Sequence, residues 1–423
     1  MPRESWRDHP EYLALWRESR QSADDRQLSL VLADWLEEHG HLEEMWRERV
    51  RAFTGRFPVI VDGILRAGYV PIGQGAWQML LAATVPDHLL IHFDCNIHTY
   101  RHLTRFGGRC GWNLGMRDWP SPTERNHLRA IPRLEMLACR QMTADSWRWT
   151  TASLPGLTYL ELDGPQIEAA DLARLKMLPA LRHLTLDGRA AQNTTALTTL
   201  PNLRHLALGP YTYQADRIQE LAPNAESLLL DMEELGESLR WPQLRSLQMS
   251  HFQGEPTLSE GEQVALSQYV HLERVKIRCR NVSAAGVQAL ATLPRLRELT
   301  LHGEDVFPSL EALARCSSLE SLTLLGDLQH EHVHQIGQIA GLRHLSLSQV
   351  TLADAEIAVL ANQTSLESLR LAGLYHGQQA PVALVELPHL ERLELQNLTM
   401  NSAFPQRVQG AAPRWMECVV AEA

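Results

Sequence analysis

Lysine is nearly missing from this 423-residue chain: of its 39 basic residues only Lys176 and Lys276 are lysine. The cations are therefore almost all guanidinium groups, which make forked hydrogen bonds that an ammonium cannot. Positive charge is itself the minority sign, 39 basic residues against 50 acidic, net -11. That balance argues against a protein that coats nucleic acid or lies on an anionic membrane surface. No apolar run approaches the ~20 residues that a membrane span needs. The six cysteines are scattered, with no C-x-x-C pair, so neither a disulfide framework nor a zinc-ribbon site is expected. The charged, aromatic start MPRESWRDHPEY does not read as a signal peptide, which points to a reduced, cytoplasmic protein. Phosphate-binding and serine-nucleophile motifs are missing too: Gly73-x-Gly75 and Gly107-Gly108 are too short to cradle a phosphate, and there is no G-x-S-x-G.

Leucine is what the chain has in excess, 70 of 423 residues, and it is unevenly placed. Seventeen lie in the first 150 residues and 53 in the remaining 273, whereas nine of eleven tryptophans precede residue 150. Two packing solutions share one chain. From Ile131 the pattern L-x-x-L-x-L recurs in phase, for example at Leu157/Leu160/Leu162, Leu203/Leu206/Leu208, Leu296/Leu299/Leu301 and Leu390/Leu393/Leu395. Twelve such matches run from Leu134/Leu137/Cys139 onward at a mean step near 23.3 residues, and Trp415/Cys418/Val420 reads as a degenerate thirteenth. In L-x-L the two leucines share one face of a short strand and the middle residue takes the other. One unit cannot bury its leucine face alone, so neighbours must stack into a parallel sheet. The second half of each repeat has helical spacing, as in Val287, Leu290 and Leu293. This pattern resembles the leucine-rich repeat. The resemblance implies an α/β solenoid, a horseshoe with a concave parallel sheet and convex helices. Asparagine does not follow L-x-L as it does in the common consensus; Gly164, Gly188, Gly303, Gly326 and Gly373 stand just before that place. Steps of 19 and 28 residues around Trp241–Leu272 imply an irregular middle, with a loop at His251–Glu262.

Ahead of the repeats, residues 1–55 read as three helices, ending respectively near Arg20, at His39-Gly40 and near Phe53, with Gly40 suited to a left-handed C-terminal position. The run Ala33-Asp34-Trp35-Leu36-Glu37-Glu38-His39-Gly40 resembles the core of the short repeat-companion domain that precedes leucine-rich repeats in planctomycete and myxobacterial proteins. That family has no established activity, so the resemblance implies context rather than chemistry. Residues 56–130 carry eight arginines against five acids and read as a cap, with a strand near Val59–Val61, a helix at Trp77–Leu81 and a strand at Leu89–Phe93. The domains expected are thus 1–55, 56–130 and 131–423. The last holds 33 acids against 23 bases, so the acidity is assigned to the repeats and to the surface with which they bind.

The concave sheet is the expected binding face, because it is open and its side chains alternate outward. Its candidate contacts are Tyr159, Glu161, Asp163, His183, Asp187, His205 and Asp231 in the early repeats. A basic band of Arg274, Lys276 and Arg278 follows, then His302, His344, Arg370 and Glu394. The expected partner is another protein, with no nucleic acid, membrane, small-molecule substrate or cofactor, and no catalytic or metal-ligating residue. The competing reading is a zinc-dependent hydrolase built on His330-Glu331-His332-Val333-His334, which matches H-E-x-x-H. It is the weaker reading, since Val333, Ile336 and Ile339 would face inward and leave His330 and His334 in solvent, with Glu356 the nearest third ligand. A second cluster, His88, His92, Cys95, His98, His102 and Cys110, has ligand-like spacing but lies along a strand that would scatter it over two faces.

Overall fold

In the computed structural model the described residues are 6, 9–21, 26–54, 58, 60–61, 64–69, 83–94, 108–113, 122–131, 133–139, 144–163, 172–187, 198–209, 215–230, 241–250, 266–278, 282–303, 307–377, 381–399, 404–412 and 417–421. They form two units, Met1–Leu203 and Arg204–Ala423.

The first unit opens with α1 (Pro10–Gln21), α2 (Arg26–Glu38) and α3 (Leu42–Thr54). The helix pair α2–α3 packs Leu32, Ala33, Trp35 and Leu36 against Met45, Trp46, Val50 and Phe53, all buried. Gly40 ends α2 at φ +78°, and the amides of Gly40 and His41 close on the carbonyls of Glu37 and Leu36 at 3.1 and 2.8 Å. This is the left-handed turn expected from the sequence, and only glycine takes it without strain. The acidic residues of the Ala33–Gly40 run have a specific use. Asp34 and Glu37 both pair with Arg49 of α3, at 3.0 and 2.7 Å, and Glu37 also accepts the Thr84 amide at 2.9 Å.

The strands of this unit are β1 (Ile60–Val61), β2 (Ile64–Tyr69), β3 (Leu90–Asp94), β4 (Arg109–Asn113), β5 (Leu134–Cys139), β6 (Tyr159–Asp163) and β7 (His183–Asp187). Only β1 is antiparallel; β2 to β7 form one parallel ladder, with α4 (Pro122–Arg129), α5 (Ala144–Ser153) and a 3-10 turn at Ala173–Met177 between strands. The ladder is already three strands deep before Leu134, with Ile91 opposite Cys110 and Trp112 opposite Leu137. The strands expected near Val59–Val61 and at Leu89–Phe93 are β1 and β3; β4 was passed over because Cys110 and Trp112 occupy leucine positions. The helix expected at Trp77–Leu81 lies outside the described residues.

The second unit continues as β8 (His205–Leu208), α6 (Ala215–Leu221), β9 (Ser227–Leu230), β10 (Ser246–Ser250), β11 (Arg274–Arg278), α7 (Ala284–Ala291), β12 (Glu298–His302), β13 (Ser321–Leu328), α8 (His330–Ile336), β14 (His344–Leu352), α9 (Asp354–Ala361), β15 (Ser368–Tyr375), β16 (Arg392–Thr399), α10 (Phe404–Ala411) and β17 (Glu417–Ala421). Every strand is parallel to the next, and leucine positions meet in register: Leu228 with Leu247, Leu247 with Val275, Leu369 with Leu393. The 19- and 28-residue steps therefore leave the ladder intact, and the length difference is taken up between strands. The His251–Glu262 segment lies outside the described residues. Cys418 pairs with Leu393, so the degenerate last repeat is a full member of the ladder.

At the start of each strand the backbone makes a recurring fork. The residue two before the second leucine of L-x-x-L-x-L offers its carbonyl to two amides of the following repeat. Glu226 O accepts Arg245 N and Ser246 N at 2.8 and 3.0 Å; Arg245 O accepts Glu273 N and Arg274 N at 2.8 and 2.9 Å. The same fork recurs at Glu273, Arg297, Glu320, Arg343 and Glu367. A carbonyl has two lone pairs and here uses both. The side chains along this row alternate in sign, Arg204, Glu226, Arg245, Glu273, Arg297, Glu320, Arg343 and Glu367, with ion pairs at 3.6 Å (Arg204–Glu226), 3.4 Å (Arg245–Glu273) and 2.9 Å (Arg343–Glu367). Farther along the strands, Gly326 (φ +148°) and Gly373 (φ +152°) sit where an added Cβ would lie 2.4 and 2.1 Å from the neighbouring carbonyls of Gly303 and Val350. Glycine before the missing asparagine thus permits close backbone approach between repeats.

Reversing the charge at Arg343 places four like charges in line with Glu320, Glu367 and Glu391. Arg343→Glu is expected to lower unfolding free energy by about 1 kcal/mol, and adding Glu367→Arg to recover a good part of it. Urea unfolding of both variants measures this; a double variant no better than the single one would deny the pair a role.

Candidate functional site

Alternation along each strand decides which side chains are available. In β11, Val275 and Ile277 are buried while Lys276 and Arg278 are exposed. The same rule holds from β8 to β15, so the outward positions form rows across the sheet. In the second unit one row reads Ser246, Arg274, Glu298, Ser321, His344, Ser368 and Arg392. The next reads Gln248, Lys276, Thr300, Thr323, Ser346, Arg370 and Glu394.

Two groups of cations emerge. Arg274, Lys276 and Arg278 share one strand, as expected. Arg370 and Arg392 stand on neighbouring strands and grip Glu394, whose side chain is only 9% exposed; Arg370 Nε lies 3.4 Å from Oε2 and Arg392 bonds to Oε1. Glu394 is thus the buried counter-ion that holds the two guanidinium groups, and these are what the surface presents there. Around them is a depression of about 380 Å³ lined by Thr323, His344, Ser346, Ser368 and the Arg370–Arg392–Glu394 trio. His302 closes β12 beside Arg278, with which it is in register, and His205 opens β8. Of the hydroxyl positions between the cation groups Ser346 was legible from the alternation, while Thr300 and Thr323 were not singled out, because threonine on a strand carries no distinctive signal.

In the first unit Tyr159, Glu161 and His183 do come together. Tyr159 and His183 are in register and their rings stack at 5.3 Å. Burial, then the nearby Glu161 charge, pushes the Tyr159 hydroxyl up from its ordinary value. Arg66 reaches Glu161 at 3.6 Å, a partner that sequence spacing gives no way to find. Asp163 and Asp187 are in register at the ends of β6 and β7, and their side chains lie outside what is described, as does Asp231 altogether.

The H-E-x-x-H segment forms α8. Val333, Ile336 and Ile339 are buried, and His330 and His334 are half exposed. Glu356 of α9 meets both rings through one oxygen, at 3.2 Å from His330 Nδ1 and 3.5 Å from His334 Nε2. Its other oxygen accepts the Ala353 amide at 2.8 Å and so caps α9. Glu331, the base in a hydrolase reading, instead accepts Gln335 Nε2 at 3.0 Å. His332, silent in the motif, is the buried histidine and accepts the Gln329 amide at 3.0 Å. The segment reads as two helix caps and a clasp between adjacent convex helices. Of the second histidine cluster, His88 bonds Glu43 at 2.8 Å and His92 and Cys110 are buried within β3 and β4, while Cys95, His98 and His102 lie outside the described residues. Among the described residues no group of three or more His, Cys, Asp or Glu side chains is placed to hold a metal ion, and no helix is long and apolar enough to cross a membrane.

No family model matches the chain, and no curated protein is similar to it in sequence. Among solved structures, an internalin from Listeria monocytogenes is 15% identical with TM-score 0.39, the match covering 89% of this chain and 94% of that one. The structure of a TLR13–ssRNA13 complex is 16% identical with TM-score 0.40, over 80% of this chain and 55% of that one. Both are leucine-rich-repeat proteins. The parallel ladder, the in-register leucines and the connecting helices make this a leucine-rich-repeat fold of the α/β class.

The clasp predicts a pH dependence. Burial raises the Glu356 carboxyl, but the Ala353 amide, its own amide and His330 outweigh it, and its pKa falls below the ordinary 4.5. A carboxyl lowered on folding contributes stability above its unfolded value and loses it as pH falls through the folded one. Glu356→Gln should therefore be less stable than the parent near pH 6, the gap closing below about pH 4. Thermal unfolding at both pH values checks this, and a gap that widens in acid would contradict it.

Proposed function

We propose that the chain is a non-enzymatic scaffold or adaptor that binds another protein through the open face of its leucine-rich-repeat sheet. The supporting observation is that this face presents cationic, hydroxyl-bearing and imidazole side chains over many consecutive strands while its leucines are spent inside. At about 4.8 Å per strand, β8 to β17 alone span roughly 43 Å, enough for a protein interface. In this reading residues 1–55 are a companion-type helical domain and 56–130 a connecting segment. The chain works in the bacterial cytoplasm as a recognition subunit of a larger complex, without nucleic acid, membrane or small-molecule ligand. The contacts are Arg274, Lys276, Arg278, His302, His344 and Arg370 in the second unit and Tyr159, Glu161 and His183 in the first. The zinc-hydrolase alternative is weaker, because Glu356 is committed to a helix cap and Glu331 to Gln335.

Affinity capture from a lysate of the source cell, with the whole chain as bait, tests this. Lys276→Glu/Arg278→Glu, at two exposed positions, should remove most of a captured partner without changing the unfolding midpoint. Undiminished capture by this variant and by Tyr159→Ala would move the interface off the sheet.

A further inference from the structure

Across β11–β16 the open face is opposite in charge to the chain. Its outward positions carry five cations, Arg274, Lys276, Arg278, Arg370 and Arg392, against three carboxylates, Glu298, Asp327 and Glu394. One of the three, Glu394, is buried beneath the arginines that neutralise it. The whole protein is net -11. Part of the acidity of the repeats lies at the strand starts, where Glu226, Glu273 and Glu367 each have an arginine neighbour.

The five cations form two banks. The first is on β11, the second on β15 and β16, and outward positions between them include Thr300, Thr323 and Ser346. At about 4.8 Å per strand, β11 and β15 are roughly 19 Å apart, which an extended chain crosses in about six residues. Hydroxyls between the banks can donate to or accept from a backbone laid across them. A single small anion cannot touch both banks. A nucleic-acid strand would want continuous positive charge and aromatic rings for its bases; no Phe, Tyr or Trp stands at the outward positions of β11, β12, β13 or β14, and the positive charge is interrupted there.

Building on the protein-binding reading above, we propose that the face from β11 to β16 takes an acidic peptide segment lying extended across the strands. One acidic cluster meets Arg274–Lys276–Arg278, a second meets Arg370–Arg392, and about six small or polar residues lie between. Glu394 fixes the second bank: as a nearly buried counter-ion it holds both guanidinium groups in place on neighbouring strands.

The test is fluorescence anisotropy on the whole chain with labelled synthetic peptides. One peptide carries two Asp-Glu pairs separated by six Gly/Ser residues; a second has a two-residue spacer; a third has Asn-Gln in place of Asp-Glu. The six-residue acidic peptide should bind tightest and lose affinity as salt rises. Lys276→Glu/Arg278→Glu should weaken it about fivefold or more, the scale of two exposed ion pairs. Arg370→Gln, which leaves Arg392 on Glu394, should weaken it separately, so that misfolding of one variant does not leave the outcome undecided. Equal binding of the acidic and amide peptides, indifference to both variants, or tighter binding of oligouridine would overturn the proposal. Loss of the lysate partner with these variants, while no acidic peptide binds, would sink the peptide and keep the binding face. Capture unaffected by them would sink the face itself.

Discussion

A single backbone carbonyl per repeat, forked between two amides of the next repeat, is what the remaining architecture hangs on. It fixes where each strand begins relative to its neighbour, to within the length of a hydrogen bond. Once that point is set, the period-two alternation of a strand decides every side chain's face, and a slip of one residue would turn the leucines outward. Each such carbonyl accepts two amides, at 2.7–3.1 Å through the second unit. What the side chains at this point add is sign. From Arg204 to Glu367 arginine and glutamate alternate, so the inner repeats of this run meet opposite charge on both sides, until Glu391 repeats the acidic sign.

The fold was legible because leucine burial repeats at a fixed period and because stacking is the only way to bury it. Val275 and Ile277 substitute for leucine without disturbing the pattern, being apolar and of similar size. Before Leu134 the strand at Leu89–Phe93 was read from its apolar run, whereas β4 was not, since Cys110 and Trp112 fill its register positions and a leucine template passes over them. Uneven repeat lengths leave the strand register untouched. Leu228, Leu247 and Val275 meet in register across steps of both 19 and 28 residues, because the fork constrains strand starts and leaves the returning arm free to vary.

The candidate site was legible only in part. Alternation shows which residues face outward, so Lys276 and Arg278 could be read directly. It does not show what lies across the sheet. Arg66 beside Glu161 joins residues nearly a hundred positions apart, and Glu394 was read as a free contact when it is the buried counter-ion of Arg370 and Arg392. The H-E-x-x-H match illustrates the same limit. Spacing put two histidines on one helical face, as the motif requires. Only the structure shows that Glu356 is occupied as the cap of the next helix and that His332, between them, is the residue turned inward.

These divisions of labour bear on where recognition can reside. Leucines are consumed by stacking, the alternating Arg/Glu row by register, and Glu356 by the clasp between convex helices. None of these can be altered to suit a partner without cost to the ladder. Outward positions such as Thr300, Thr323, Ser346 and Lys276 take no part in the leucine stacking. A surface whose side chains are free of structural duty, and whose charge opposes that of the rest of the chain, is the part of this protein on which selection for binding can act independently of selection for folding.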